Sequence, residues 1–201
     1  AFLTPDGFAR PALTAVLWEG RVVREAGRYA WREVTSRGRE RRSPYVGPTV
    51  PRAAEPVLLV PGFMAGDGSL ALMSRSLRKQ GFRTYRSAIQ ANVGCTNEAV
   101  ARLEERLEDI AQHRGSKVRI VGHSLGGMLA RGLAASRPDL VSGVVTLGSP
   151  VLAPGAHHLS LAHSLEMLVR LNQAGVGRLM AKDCIAGECA RESFERSRAT
   201  L

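Results

Sequence analysis

No stretch of the 201-residue chain reaches the run of about 18 apolar residues that crosses a bilayer, so the sequence contains no candidate transmembrane helix. Its first residues include Pro5, Asp6, Arg10 and Pro11, where an export signal needs an unbroken apolar segment. The expectation is a cytoplasmic protein, with peripheral membrane contact left open. The first residue is Ala1 rather than Met, which suggests processing or missing sequence ahead of it. Cysteine is scarce. Cys95, Cys184 and Cys189 are odd in number and lack ordered histidine spacing, which excludes a disulfide scaffold and argues against a zinc site. They are expected to be small, partly buried thiols, with a bridge to a segment outside this chain as the alternative. Lysine is scarcer still relative to arginine: Lys79, Lys117 and Lys182 are the only ones, so arginine carries nearly all of the positive charge.

The formal charge is +10, and the composition of 44% hydrophobic and 23% charged residues is that of an ordinary globular chain rather than a disordered or fibrous one. Residues 1–52 hold ten arginines against five acidic residues, a net +5, so half of the excess sits in the first quarter of the chain. A solvated basic arm accounts for that bias, and attraction to anionic lipid is the functional reading. No nucleic-acid module accompanies the charge. Residues 13–35 show amphipathic spacing and read as a helix. Residues 36–56, with Pro44, Pro48, Pro51 and Pro56, read as a linker. The domain reading is a basic helical arm and linker over 1–52 and a core over 53–201.

After Pro56 a regular alternation begins. Val57 to Val60 is a short apolar run closed by Pro61-Gly62, the pattern of a fully buried strand. A helix is expected over 69–80, stopped by Gly81, and a strand over 82–89. Asn97 is expected to cap a helix in which Val100, Leu103, Leu107, Ile110 and Ala111 repeat at three and four and which closes near Gly115. A strand over 118–121, a helix over 126–136 and a strand over 141–147 complete the series. Such alternation builds an α/β fold, a mostly parallel sheet with helices on both faces. Residues 150–201 break the rhythm. Their best helix, about 159–172, carries Leu161, Leu165, Leu168 and Val169, and reads equally as a core helix or as an amphipathic cap or lid.

Gly122-His123-Ser124-Leu125-Gly126 matches G-x-S-x-G. The motif alone is common by chance, but here it follows a strand and opens a helix, the strand–turn–helix context that lifts a serine hydroxyl above a sheet. Residues without side chains at 122 and 126 let strand and helix approach closely. The helix that starts there aims its unpaired amides at the serine, and the Leu125 amide is the first candidate to hold a developing oxyanion.

Three segments, Val57-Leu58-Leu59-Val60-Pro61-Gly62-Phe63, Val121-Gly122-His123-Ser124-Leu125-Gly126-Gly127 and Val145-Thr146-Leu147-Gly148-Ser149-Pro150, together resemble the α/β-hydrolase fold of bacterial esterases and lipases. Their order and spacing are similar to that family's third to sixth strands over residues 57–155. The resemblance implies Ser124 as nucleophile and the amides of Phe63 and Leu125 as the oxyanion hole. Pro61 stands where the family usually has a histidine. The implied substrate is a small acyl ester or lipid, and no metal or organic cofactor is required.

A serine nucleophile needs a histidine base and a carboxylate, in this fold in the order Ser, acid, His. His113 precedes the motif, and His123 lies in the turn, where a packing role is expected. His157, His158 and His163 have only Asp139 between them and Ser124, and Asp139 precedes a seven-residue strand, which puts it roughly 20 Å from the catalytic edge. Asp183, Glu188, Glu192 and Glu195 are followed by no histidine. The expectation is a hydrolase incomplete at its C-terminal end, with acid and base beyond Leu201. The alternatives are a relocated base among His157, His158 and His163, a non-catalytic binding domain at anionic membranes, and thioesterase or acyltransferase chemistry on the same parts.

Overall fold

The computed structural model describes residues 55–151, 159–177, 179, 180, 184, 191, 192 and 194–196, with 7, 24, 27, 28 and 31. The chain divides into two compact units, one over residues 7–50 and one holding 1–6 and 51–201. The N-terminal helix and the linker expected from the sequence lie almost entirely outside the described residues. The larger unit carries the sheet.

Its elements run β1 (Pro56–Val60), a 3-10 turn (Asp67–Leu70), α1 (Ala71–Lys79), β2 (Arg83–Arg86), α2 (Thr96–Arg114), β3 (Val118–His123), α3 (Leu125–Ser136), β4 (Val141–Leu147) and α4 (Leu159–Gln173). The strands form one sheet in the order β2-β1-β3-β4, and all three pairings are parallel. Every residue of β1 is buried, as expected for a central strand covered on both faces. Leu58 and Val60 join Val118 and Ile120 under Leu103, Leu107 and Ile110 of α2 and Leu129 and Leu133 of α3. Val57, Leu59 and Val121 point the other way, toward Leu70, Met73 and Leu77. So α1 covers one face, and α2 and α3 cover the other. Each fully buried leucine, isoleucine or valine here contributes roughly 1.5–3 kcal/mol over its exposed state.

Several boundaries differ from the sequence expectations, among them β3, which runs on to His123 rather than ending at residue 121, and three have an identifiable cause. The α2 helix is capped by Cys95, in extended conformation and without a side-chain capping bond, rather than by Asn97. The Asn97 amide instead donates to Glu192 Oε2 at 3.0 Å. At its other end α2 stops at Gly115, whose left-handed φ of 62° suits a residue without Cβ. The second strand ends at Arg86 rather than residue 89, because Ser87 turns out of the sheet to donate its main-chain N (3.0 Å) and Oγ (2.7 Å) to Asp67 Oδ1. The helix expected from residue 69 begins with the tighter 3-10 turn.

Arg137, just past α3, donates to Glu104 Oε1 at 3.1 Å, to Glu108, and to Asp139 through two bonds of 3.1 and 3.0 Å. It thereby ties α2 to the turn before β4. The hydrogen bond from Arg137 holds the Asp139 carboxyl below the usual carboxylate range. In the last third of the chain, Leu168 and Val169 of α4 are buried while Met167 is exposed. Met180 and Phe194 are buried as well, and the Met180 amide donates to the Val93 carbonyl at 2.8 Å. Cys95 and Cys184 are half-buried, as expected; Cys189 is outside the described residues.

Candidate active site

From β1 the chain moves to one side to form β2, then returns past β1 to place β3 on its other side. The connections leaving β1 and β3 therefore go to opposite faces, which makes the carboxyl ends of these two strands the switch point of the sheet. That is the usual ligand position in an open parallel sheet. Val60 pairs with Gly122, so the two turns beyond them, Pro61-Gly62-Phe63 and His123-Ser124-Leu125, stand side by side.

Ser124 occupies the corner between β3 and α3 at φ 51° and ψ −122°. Its amide donates to the Leu147 carbonyl at 2.8 Å, and its carbonyl accepts from Gly127 at 3.0 Å. Although Ser124 is the N-cap of α3, its hydroxyl makes no capping bond, so the oxygen is not consumed by the helix it begins. The corner is tight enough to exclude side chains. A Cβ on Gly122 would lie 2.5 Å from Gly127 Cα, and one on Gly126 would overlap the carbonyl oxygen of Val60 and lie 2.5 Å from that of Pro61. A Cβ on Gly62 would lie 3.1 Å from Ser124 Cβ and 2.9 Å from His123 Nδ1. The residue before Phe63 thus rests against the serine.

The Phe63 amide is presented by a four-residue turn closed by Ala65 N donating to Gly62 O at 3.1 Å. In such a turn the amide of the second residue, Phe63, has no partner inside, while the third residue, Met64, is driven to φ 57°. Leu125 is the first residue of α3, where helix geometry supplies no acceptor for its N–H. Among the described residues no main-chain carbonyl accepts from either amide. Two main-chain amides without such an acceptor thus belong to the residues that follow Gly62 and Ser124, which pack against each other, and Ser124 stands at the positive end of the α3 dipole. Backbone strain gathers in the same place: the non-glycine residues with positive φ among those described are Met64, Ala88 and Ser124. All three lie on turns at the carboxyl edge of the sheet.

The structure separates the remaining candidates. His113 lies in the last turn of α2, beyond the opposite edge of the sheet from Ser124. Asp139 precedes β4 and is occupied by Arg137, whereas Ser124 bonds the far end of that strand. His123, expected to pack, ends β3 as an exposed residue, with its Nδ1 close against Gly62. His163 is exposed on α4, and His157, His158, Asp183 and Glu188 fall outside the described residues. Among those described, no group of three or more His, Cys, Asp or Glu is arranged to hold a metal ion, and no helix is long and apolar enough to cross a membrane.

A strained serine at a strand–helix corner, at the switch point of a parallel sheet, is the arrangement of the α/β-hydrolase fold. The model of the alpha/beta hydrolase fold family matches residues 55–180, and the chain belongs to that family. A triacylglycerol lipase of Vibrio cholerae is 35% identical over 103 residues, which is 46% of this chain and 31% of that protein. A triacylglycerol lipase of Pseudarthrobacter phenanthrenivorans is 31% identical over 105 residues, 47% of this chain and 33% of the relative. The chain thus spans about a third of the length of these curated relatives. Among solved structures, the mature form of a Bacillus licheniformis lipase superposes with a TM-score of 0.53 at 19% identity, covering 73% of this chain and 60% of that one. At that identity the likeness is one of fold.

Proposed function

We propose that the protein is a serine hydrolase of carboxylic esters, of the esterase and lipase type. Ser124 Oγ attacks the acyl carbonyl as its proton passes to a base, and the amides of Phe63 and Leu125 receive the tetrahedral oxyanion. The oxyanion collapses to an acyl-enzyme as the protonated alcohol leaves. Water, deprotonated by the same base, then releases the carboxylic acid and restores the serine. The observation that carries this reading is the positive-φ corner at Ser124, packed against Gly62. The names of the relatives, triacylglycerol lipases, favour acyl esters of the lipid kind as substrates. The reaction needs no cofactor. His113 and Asp139, at the opposite ends of the strands from Ser124, do not serve as its base and orienting carboxylate.

The test is labelling of the full-length protein with a fluorophosphonate probe, alongside hydrolysis of p-nitrophenyl esters of increasing acyl length. Labelling confined to Ser124, and lost with ester hydrolysis in Ser124→Ala, is the expected result. A folded wild-type protein that neither takes the label nor cleaves any ester would refute the reading.

A further inference from the structure

The Phe63 turn does not hold itself. Asn92 is buried, 4% exposed, and makes three hydrogen bonds to it: Nδ2 donates to Pro61 O at 3.0 Å, the main-chain N donates to Ala65 O at 2.9 Å, and the main-chain O accepts from Met64 N at 3.0 Å. These contacts clamp the chain on both sides of Phe63 and leave its own amide out. The side-chain bond is directional: a carbonyl oxygen can only accept, so the buried partner must be the NH2 end of the amide.

The segment carrying Asn92 is itself braced at its other end. Asp67 N donates to Ile89 O at 3.0 Å, Asp67 Oδ1 accepts two bonds from Ser87, and Gly66 lacks the side chain that would meet Gln90 C at 2.7 Å. The strained residues Met64 and Ala88 lie on the two sides of this junction. Strain of this kind, of order 1–3 kcal/mol per residue, persists only where surrounding contacts over-determine it.

We propose that Asn92 is a positioning residue of the oxyanion hole, fixing the Phe63 amide toward Ser124 by clamping the turn at Pro61, Met64 and Ala65. The inference rests on the serine-hydrolase reading above. The Phe63 donor gains strength only as charge develops on the substrate oxygen, so loosening it weakens the transition state and leaves ground-state binding nearly untouched. A misplacement of about 1 Å can cost on the order of a hundredfold in rate.

The experiment compares wild type with Asn92→Ala and Asn92→Asp in the full-length protein, reading kcat and KM for a p-nitrophenyl ester and the inhibition constant of an alkyl trifluoromethyl ketone, whose adduct with serine is tetrahedral. Asn92→Asp keeps the shape but sets a carboxylate against the Pro61 carbonyl. Expected is a fall in kcat of about tenfold to a hundredfold with KM within about twofold. The ketone should weaken by the same factor as kcat/KM. Wild-type kcat in both folded variants, or a loss confined to KM, overturns the proposal. Should both variants fail to fold, Ser87→Ala, which removes the Oγ bond to Asp67 and the bond that Oγ accepts from the Ile89 amide, decides: a loss of about twofold to fivefold in kcat at constant KM supports the clamp, and unchanged kcat overturns it. An inactive, unlabelled wild type marks failure of the hydrolase reading instead.

Discussion

The amide of Ser124 donates to the carbonyl of Leu147 at 2.8 Å, so the final rung of the β3–β4 pairing is made by the residue that leaves the sheet to begin α3. That bond pins one side of the corner, and the Gly127 amide on the Ser124 carbonyl pins the other. Between them the residue is held at a φ of 51°, a region an L-residue enters at a cost.

This strain should be measurable apart from catalysis. Ser124→Ala and Ser124→Gly both remove the hydroxyl, but only glycine is free of the Cβ penalty at this φ. Allowing for glycine's greater freedom in the unfolded chain, Ser124→Gly should be more stable than Ser124→Ala by about 1 kcal/mol in urea denaturation. A glycine variant less stable than the alanine one would show that the corner is relaxed.

The glycines around the corner should differ in tolerance according to what blocks them. At Gly122 and Gly126 an added Cβ meets main chain, which cannot step aside without parting β1, β3 and α3. At Gly127 the nearest obstacle is the Ser149 hydroxyl, the end of a side chain, and a buried oxygen with no hydrogen-bond partner among the described residues. Gly122→Ala and Gly126→Ala should each cost at least about 3 kcal/mol, the upper end for overpacking. Gly127→Ala should fall below either, the more so in a Gly127→Ala/Ser149→Ala double variant. Thermal melts would rank the four proteins, and equal losses at 122 and 127 would contradict the distinction.

Acid should weaken the brace between α2 and the turn before β4. Hydrogen bonding from Arg137 depresses the Asp139 carboxyl in the folded state, opposed in part by burial. A depressed carboxyl contributes stability that is present above its unfolded value of about 3.9 and lost as pH falls through the lower folded value. Wild type should therefore exceed Asp139→Asn by a small margin at pH 7. The margin should close below about pH 4 and shrink in high salt, because the Asp139 side chain is 60% exposed. Urea titrations across that range would reveal the trend, and a margin that widened in acid would reverse the assignment.

The alternation of apolar runs with three-and-four spacing was readable because it reflects local geometry. Val57 to Val60 could be recognised as a strand covered on both faces, and β4 begins and ends at the residues expected. The serine corner was readable for a related reason: close approach of strand to helix restricts residues 122 and 126 to glycine. Asn97 misled because a residue with a good capping side chain lies two positions past the true N-cap of α2, where a contact with Glu192, 95 positions away, occupies it instead. Asn92 carried no signal, since an asparagine in a loop rich in small residues looks like any turn former until Pro61 is brought against it.

By itself the amino-acid order determined the alternation of strands and helices, the full burial of β1 and the one turn whose steric demands only glycine meets. The tertiary structure decided which turns meet: the reversal from β1 to β2 and back to β3 sets the switch point between β1 and β3, sets Gly62 against Ser124, and carries Asn92 to the carbonyl of Pro61 across 31 residues of sequence. Local propensity acts over a few residues, whereas these contacts exist only once the sheet has assembled and its two faces are covered.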